Sequence, residues 1–411
     1  MPEFLELLPP TRALALFLQN LPPTAPEIET LASGQALGRV TARAVYAPEP
    51  LPAFPRSTVD GYAVRAADTY GASDSLPGYL SLAGEVPMGA APTFVLQPAQ
   101  AALIHTGGML PDGANAVVML EHTQPSRPGE IEILRAVASG ENILTPGEDV
   151  SSGEEILPAG VRLRPAEIGG LLALGITTVA VSRRPRLAIL SSGDEVIPPD
   201  HCPRPGQVRD VNSYSLGALI EQHGGLPVSY GIIGDQRDAL QHAVAQALHE
   251  CDAVVVTAGS SASTRDLTAA VIDELGRPGV LVHGVNVKPG KPTILGVCDG
   301  KAVVGLPGNP VSALVIAGLF VVPLVERLLG LPAARPRPAV SARLTVNLPS
   351  QAGREDYIPV RLLISPNGYQ AEPIFYKSNL IFSLARADGL VHIPADATGL
   401  EVNAPVEVML L

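Results

Sequence analysis

Cysteine is scarce: the 411 residues hold three, Cys202, Cys251 and Cys298, far apart and without a CxxC pair. Neither a disulfide scaffold nor a structural zinc site is expected. The eight histidines form no HExxH or HxH pair, which leaves a histidine-ligated metal without support. Positive charge is also in deficit. Twenty-eight Lys and Arg face 40 Asp and Glu, for a net charge of −12, which argues against general binding to nucleic acid or an anionic membrane. An anionic substrate would have to meet basic groups concentrated locally. The longest apolar run, Val311–Val325, contains Ser312 and Pro323 and is followed by Glu326 and Arg327. It is shorter than the ~20 residues a bilayer span needs and reads as a buried core helix. The N-terminal MPEFLELLPP carries Glu3 and Glu6 where a signal peptide would place Lys or Arg, so a cytoplasmic location is expected. No GxGxxG follows the first strand of the α/β region, which removes a Rossmann oxidoreductase.

Glycine (40) and proline (41) make up near one residue in five, and 46% of the chain is apolar. This predicts a folded, loop-rich, multidomain protein. Residues 11–19 and 27–40 read as short helices. From about 45 to 140, short apolar runs (Leu80–Ala83, Thr93–Leu96, Ala101–His105, Ala116–Glu121, Glu130–Leu134) alternate with Gly and Pro turns and predict a small β-rich domain. Residues 165–182 predict a helix ending near Gly175, then a strand. After Arg183–Arg184–Pro185–Arg186 the pattern becomes α/β, with strands at Leu187–Leu190, Val228–Ile233, Asp252–Thr257 and Ala302–Leu306. Asn212 and Asp235 are expected as helix caps. Strands alternating with helices imply a mainly parallel sheet, and the tail after about 330 predicts a small β-barrel or sandwich.

Ligands of an open α/β sheet bind outside the carboxyl ends of its strands. Four such ends carry small or polar residues: Ser191–Glu195, Gly234–Asp238, Ala258–Asp266 and Pro307–Ser312. In LPGNPVSA, Asn309 suits an N-cap and Pro310 the first helical position, Gly308 permits close backbone approach, and first-turn N–H groups favour an anion. KPGKP holds Lys288 and Lys291 three residues apart between prolines, a local anion site in an acidic chain. Asp60, Asp149, Glu195 and Asp266 sit beside glycines or serines on predicted loops, hard oxygen donors of the kind that suit Mg²⁺ bridging phosphates. An Asx turn or helix cap explains any one of them equally well.

Together, LPAFPRSTVDGYAVR (51–65), TGGMLPDGANAVVMLE (106–121), NILTPGEDV (142–150), SSGDE (191–195), VKPGKP (287–292) and LPGNPVSA (306–313) resemble the MoeA family of molybdopterin molybdenumtransferases, represented also by the E domains of gephyrin and plant Cnx proteins. The resemblance runs from about residue 5 to the C-terminus. It implies four domains: a MogA-like three-layer α/β domain (1–19 and 183–329), a linker domain (20–48 and 140–182), an inserted β-rich domain (49–139) and a C-terminal β-barrel (330–411). It further implies a homodimer whose site is shared between subunits. The implied reaction inserts molybdate into adenylylated molybdopterin and releases AMP with help from Mg²⁺, downstream of a MogA-type adenylyltransferase.

By the same resemblance, Asp60 is the aspartate of the inserted domain, and Glu195 and Asp266 are acidic groups around the nucleotide and metal. Lys288, Lys291 and Ser312 are oxyanion-site residues that Arg354 and Ser378 complete. Gly259, Ser260, Ser261, Pro307, Gly308, Asn309 and Pro310 line the substrate. The loop before Asp266 reads TAGSSASTRD, with two serines and Arg265 where the family has glycines. Tungstate insertion, a molybdopterin-binding scaffold and a MogA-type adenylyltransferase are the competing readings; the last leaves the DGYA insert and the barrel unexplained.

Overall fold

The computed structural model describes residues 7–23, 25–258, 262–332, 337–375 and 377–411, with the side chains of 258 and 262–266 outside the description. The chain divides into two compact units. One comprises Met1–Glu29, Gly38–Ala42 and Ala180–Leu411, the other Thr30–Leu37 and Arg43–Val179.

The first unit opens with helix α1 (Pro10–Gln19), its proline at the first turn where no N–H is needed. Its α/β part follows as β1 (Arg186–Ser192), α2 (Asn212–Gln222), β2 (Leu226–Ile233), α3 (Arg237–Glu250), β3 (Ala253–Ala258), α4 (Ala262–Leu275), β4 (Pro278–His283), β5 (Val287–Lys288), β6 (Ile294–Cys298), β7 (Lys301–Pro307) and helix α5 (Pro310–Leu328). The sheet order is β2-β1-β3-β7-β6-β4. The first four strands are parallel, and β6 runs antiparallel to both its neighbours. Because both faces are covered, the inner strands β1, β3, β7 and β6 are buried almost throughout rather than alternating. In β1, Leu187 and Ile189 join one core with Phe17, Leu216 and Phe320. Ala188 and Leu190 turn to the other, with Leu240, Val244 and Ile272.

Helix α5 is long and apolar enough by length and composition to cross a membrane, but its side chains fill the first of those cores. A π-helical turn at Ala317–Val321 precedes Pro323. The proline lacks an N–H and crowds the carbonyl four residues back, and the wider turn relieves both conflicts.

The C-terminal strands β8 (Ala339–Leu344), β9 (Glu355–Ser365), β10 (Gly368–Pro373), β11 (Gly389–Ile393) and β12 (Pro405–Leu410) close on themselves in the order β9-β10-β8-β12-β11-β9. This five-stranded barrel decides between barrel and sandwich. Strand β5 adds to its outside, pairing in parallel with β9 so that Lys288 lies opposite Asp356.

The second unit is built on a six-stranded sheet in the order 116–119, 61–64, 100–104, 78–86, 130–133, 123–125. A helix, Pro165–Ala173, also belongs to it and ends before Gly175 as its sequence predicts. The sheet carries a core on each face, Val64, Ala101, Val118 and Ile131 on one and Ala63, Ile104 and Val117 on the other. Only toward its far edge does a strand alternate, as in Glu130–Ile133, whose two isoleucines are buried and two glutamates partly exposed.

Several expectations need correction. Residues 27–40 are not a helix: Ile28–Ala32 is a strand and Ser33–Gln35 a single 3₁₀ turn. β-branched Ile28 and Thr30 favour extended backbone, Gly34 and Gly38 weaken a helix, and Ser33 N instead donates to Thr177 O at 2.8 Å. Thr93–Leu96 is not a strand, being bracketed by Pro92 and Pro98, which lack donors. Asn212 does not cap its helix, because Asp210 Oδ1 accepts from Ser213 N at 3.1 Å. Asp235 does not cap α3, whose preceding residue is Gln236. Strands β4 and β6 add two members to the sheet that the apolar-run pattern did not single out.

Candidate active site

The carboxyl ends of β1, β2, β3 and β7 share one edge of the sheet. Asp194, Glu195 and Asp235 lie on the loops that leave these ends. Ser192 Oγ donates to Asp235 Oδ1 at 3.0 Å, and Asp235 N donates to Asp194 Oδ1 at 3.1 Å. Half-buried Glu195 follows on the same turn. Buried Ser191 and Thr257 bring their hydroxyls within 3.4 Å across the β1–β3 pair. Asp235 lies in the Gly234–Asp238 strand end that the sequence marks for ligands, and its side chain takes Ser192 instead of the helix cap expected of an Asp before an amphipathic stretch. Asp266 lies on α4 directly after β3, but its side chain is outside the described residues, as are Gly259, Ser260 and Ser261. Among the described residues no three His, Cys, Asp or Glu side chains converge on a metal position. The hard oxygen donors at this edge still fit Mg²⁺, which usually takes one or two carboxylates and completes its shell with phosphates and water.

At the end of β7, Pro307 is buried and Gly308, Asn309 and Pro310 are half-buried. Asn309 occupies the N-cap position and Pro310 the first helical one, as expected. The asparagine side chain does not cap, however: its Nδ2 donates to Ser378 Oγ at 2.9 Å. Val311 N donates to Ser378 O at 3.1 Å, so one first-turn N–H of α5 is already engaged. Ser312 is buried on the next position.

Lys288 and Lys291 are exposed, while Val287, Pro289, Gly290 and Thr293 around them are buried. Among the described residues neither lysine has an ion-pair partner. Gly290 has φ +109°, and a Cβ there would lie 2.2 Å from Ile316 of α5. Only glycine lets the lysine loop lie against the helix that carries Ser312. On the barrel, Arg354 forks onto Asp356, Nε to Oδ1 at 2.7 Å and Nη2 to Oδ2 at 3.1 Å. Asp356 is 1% exposed, so part of the guanidinium's donor set is committed. These links draw Lys288, Lys291, Pro307–Pro310, Ser312, Arg354 and Ser378 into one neighbourhood of the first unit.

Asp60 belongs to the second unit, directly before Gly61–Val64, the strand next to the sheet's 116–119 edge. Its Oδ1 accepts from Thr106 N at 2.7 Å and Thr106 Oγ1 at 3.1 Å. Those two bonds, the backbone one foremost, hold its carboxyl below the ordinary value of 3.8. The carboxylate therefore stays charged and solvent-facing. His105, which bonds Glu85 at 3.1 Å, stands 3.8 Å from it. Asp149 is exposed on another loop of this unit.

Strand-end carboxylates, unpaired lysines and a Gly-Asn-Pro helix entry define an α/β enzyme built for an anionic, phosphate-bearing substrate. Residues 8–175 match the family model for the MoeA N-terminal region (domains I and II). Residues 188–327 match a probable molybdopterin binding domain, and 341–411 the MoeA C-terminal region (domain IV). The molybdopterin molybdenumtransferase of Nostoc sp. is 32% identical over 98% of this chain and 94% of its own length. That of Haemophilus influenzae is 32% identical over 90% of each. The molybdopterin biosynthesis moeA protein of Pyrococcus horikoshii OT3 superposes with a TM-score of 0.86 at 32% identity, covering 99% of this chain and 100% of that one. The chain belongs to the molybdopterin molybdenumtransferase (MoeA) family, transferases of molybdenum cofactor biosynthesis.

Proposed function

We propose that this chain inserts molybdate into adenylylated molybdopterin and releases AMP. The observation that carries the reading is the pair Lys288 and Lys291, two cations without described counterions in a chain of net charge −12, tethered by Gly290 to the helix of Ser312. A tetrahedral dianion needs cationic and hydroxyl donors, which these residues, Ser378 and the uncommitted edge of Arg354 supply. Glu195 and Asp266 would hold Mg²⁺, which when bound neutralises charge on the phosphoanhydride. Backbone at Gly308 and Asn309 orients the substrate, and the lysines stabilise charge as the anhydride breaks. An oxygen of molybdate or of water attacks phosphorus, the anhydride P–O bond breaks and AMP leaves with its electrons. The two dithiolene sulfurs then displace one oxygen from molybdenum, and their two protons leave with that oxygen or to water.

The acting form is a homodimer in which Asp60 of one subunit completes the site of the other. The substrate is supplied by an upstream MogA-type adenylyltransferase in the cytoplasm. The test is AMP release from purified protein given adenylylated molybdopterin, Mg²⁺ and molybdate, with tungstate in a parallel arm. Lys291→Ala and Asp60→Asn should each lose at least 100-fold in rate while sedimenting as the wild type does. Full activity in both variants would show the site assignment to be wrong.

A further inference from the structure

We infer that Asn212 is a substrate-contacting residue whose side-chain oxygen accepts a hydrogen bond from an N–H or O–H of the substrate's non-phosphate part. The inference rests on the transferase reading above. Asn212 begins α2 and is 7% exposed. Its Nδ2 donates to Gly308 O at 2.9 Å, on the turn between β7 and α5. That bond fixes the amide's orientation and leaves Oδ1 buried without a hydrogen-bond partner among the described residues. Helix capping does not explain the asparagine, since Asp210 supplies the cap. The adjacent Ser213 Oγ is buried and unpartnered among the described residues as well.

Buried polar atoms in folded proteins are overwhelmingly paired, so two such atoms on consecutive residues mark a place that something else completes. Chemistry narrows the occupant. An amide oxygen only accepts, and molybdate and phosphate diester oxygens carry no proton at neutral pH, so the occupant is not the anionic part of the substrate. Rings with N–H groups and ribose hydroxyls do supply donors. Ser213 can donate or accept, which suits a group with a donor beside an acceptor, as the edge of a pterin or adenine ring has. Because Nδ2 grips Gly308, Asn212 would couple recognition of that group to the position of the turn that precedes Asn309 and Ser312.

The experiment is calorimetric titration of the full-length protein with AMP and, separately, with molybdopterin, using wild type, Asn212→Leu and Asn212→Asp. Leucine removes both amide functions. Aspartate keeps an acceptor but gives up the donation to Gly308. Asn212→Leu should weaken one of the two ligands at least tenfold, and Asn212→Asp should recover most of that loss. The ligand affected tells whether the donor belongs to the nucleotide or to the pterin. Equal losses in both variants would reduce Asn212 to a latch on Gly308, and unchanged affinity in Asn212→Leu would remove it from the site; either overturns the inference while the transferase reading stands. Wild type binding neither ligand would overturn both. Should the variants not fold, a crystal structure of the wild type with the bound ligand decides. A ligand nitrogen or oxygen within roughly 3.2 Å of Oδ1 supports the inference, and a lone water there overturns it.

Discussion

Removing the Asp356 carboxylate should destabilise the first unit more than any exposed ion pair could. Asp356 is 1% exposed and meets Arg354 through two bonds of 2.7 and 3.1 Å. Breaking a buried pair by deleting one partner typically costs about 3–5 kcal/mol, because the remaining charge stays desolvated. The Arg354 side chain is 26% exposed, so water screens part of that charge, and about 2–3 kcal/mol is the appropriate expectation for Asp356→Ala. In a unit of this size 1 kcal/mol moves the melting temperature by about 2–4 °C, which predicts a fall of roughly 5–10 °C by differential scanning calorimetry. Asp356→Asn keeps the shape but turns an N–H toward the guanidinium, and should lose about half as much. A double-mutant cycle with Arg354→Ala should return a coupling of about 1.5–3 kcal/mol. A melting temperature within 1 °C of wild type, together with additive single variants, would refute the claim that the fork holds this part of the barrel.

Two further outcomes follow from the second unit. Asp60 should titrate below 3.8 by carboxyl NMR. As a depressed acid, its stabilising contribution is full above that value and is lost as pH falls through the lower folded midpoint. Thr106→Val removes the hydroxyl bond but keeps the shorter backbone one, so the midpoint should rise only partway; an unmoved midpoint would contradict the stated cause. Gly61→Ala would place a Cβ 2.0 Å from Val118 O, against the sheet's 116–119 edge strand, and should cost about 3 kcal/mol in a denaturant titration, whereas a neutral effect would mean the strands part easily.

Much of the architecture was legible because its signals are local. Apolar runs such as Ala302–Leu306 and DAVVVT mark strands buried on both faces, and the Pro310 and Gly175 boundaries follow from backbone chemistry. The misread helix caps share one cause, polar residues with several possible partners. Asn212, Asp235 and Asn309 all sit where a helix cap is the economical explanation, yet in each case a partner distant in sequence (Gly308, Ser192, Ser378) takes the side chain. Nothing in the spacing of Asp356 announces the fork either, since a carboxylate two residues from an arginine is usually a solvated neighbour. Lysines were easier: Lys288 and Lys291 stand between prolines in an acidic chain, and the fold leaves them exposed on a buried frame.

Strand β5 has a consequence for how far this protein can be taken apart. Domain boundaries drawn along the chain would assign Lys288 to the α/β portion and let the barrel be exchanged as a cassette. The ladder runs otherwise: Val287 and Lys288 hydrogen-bond to β9, a barrel strand more than sixty residues further along. Fusing the α/β portion to a foreign C-terminal module would strip that segment of its neighbour, so chimeras ought to be cut where no ladder crosses. The same dependence ties the inheritance of the two parts together, because a barrel that drifts in the register of β9 moves a lysine it does not encode.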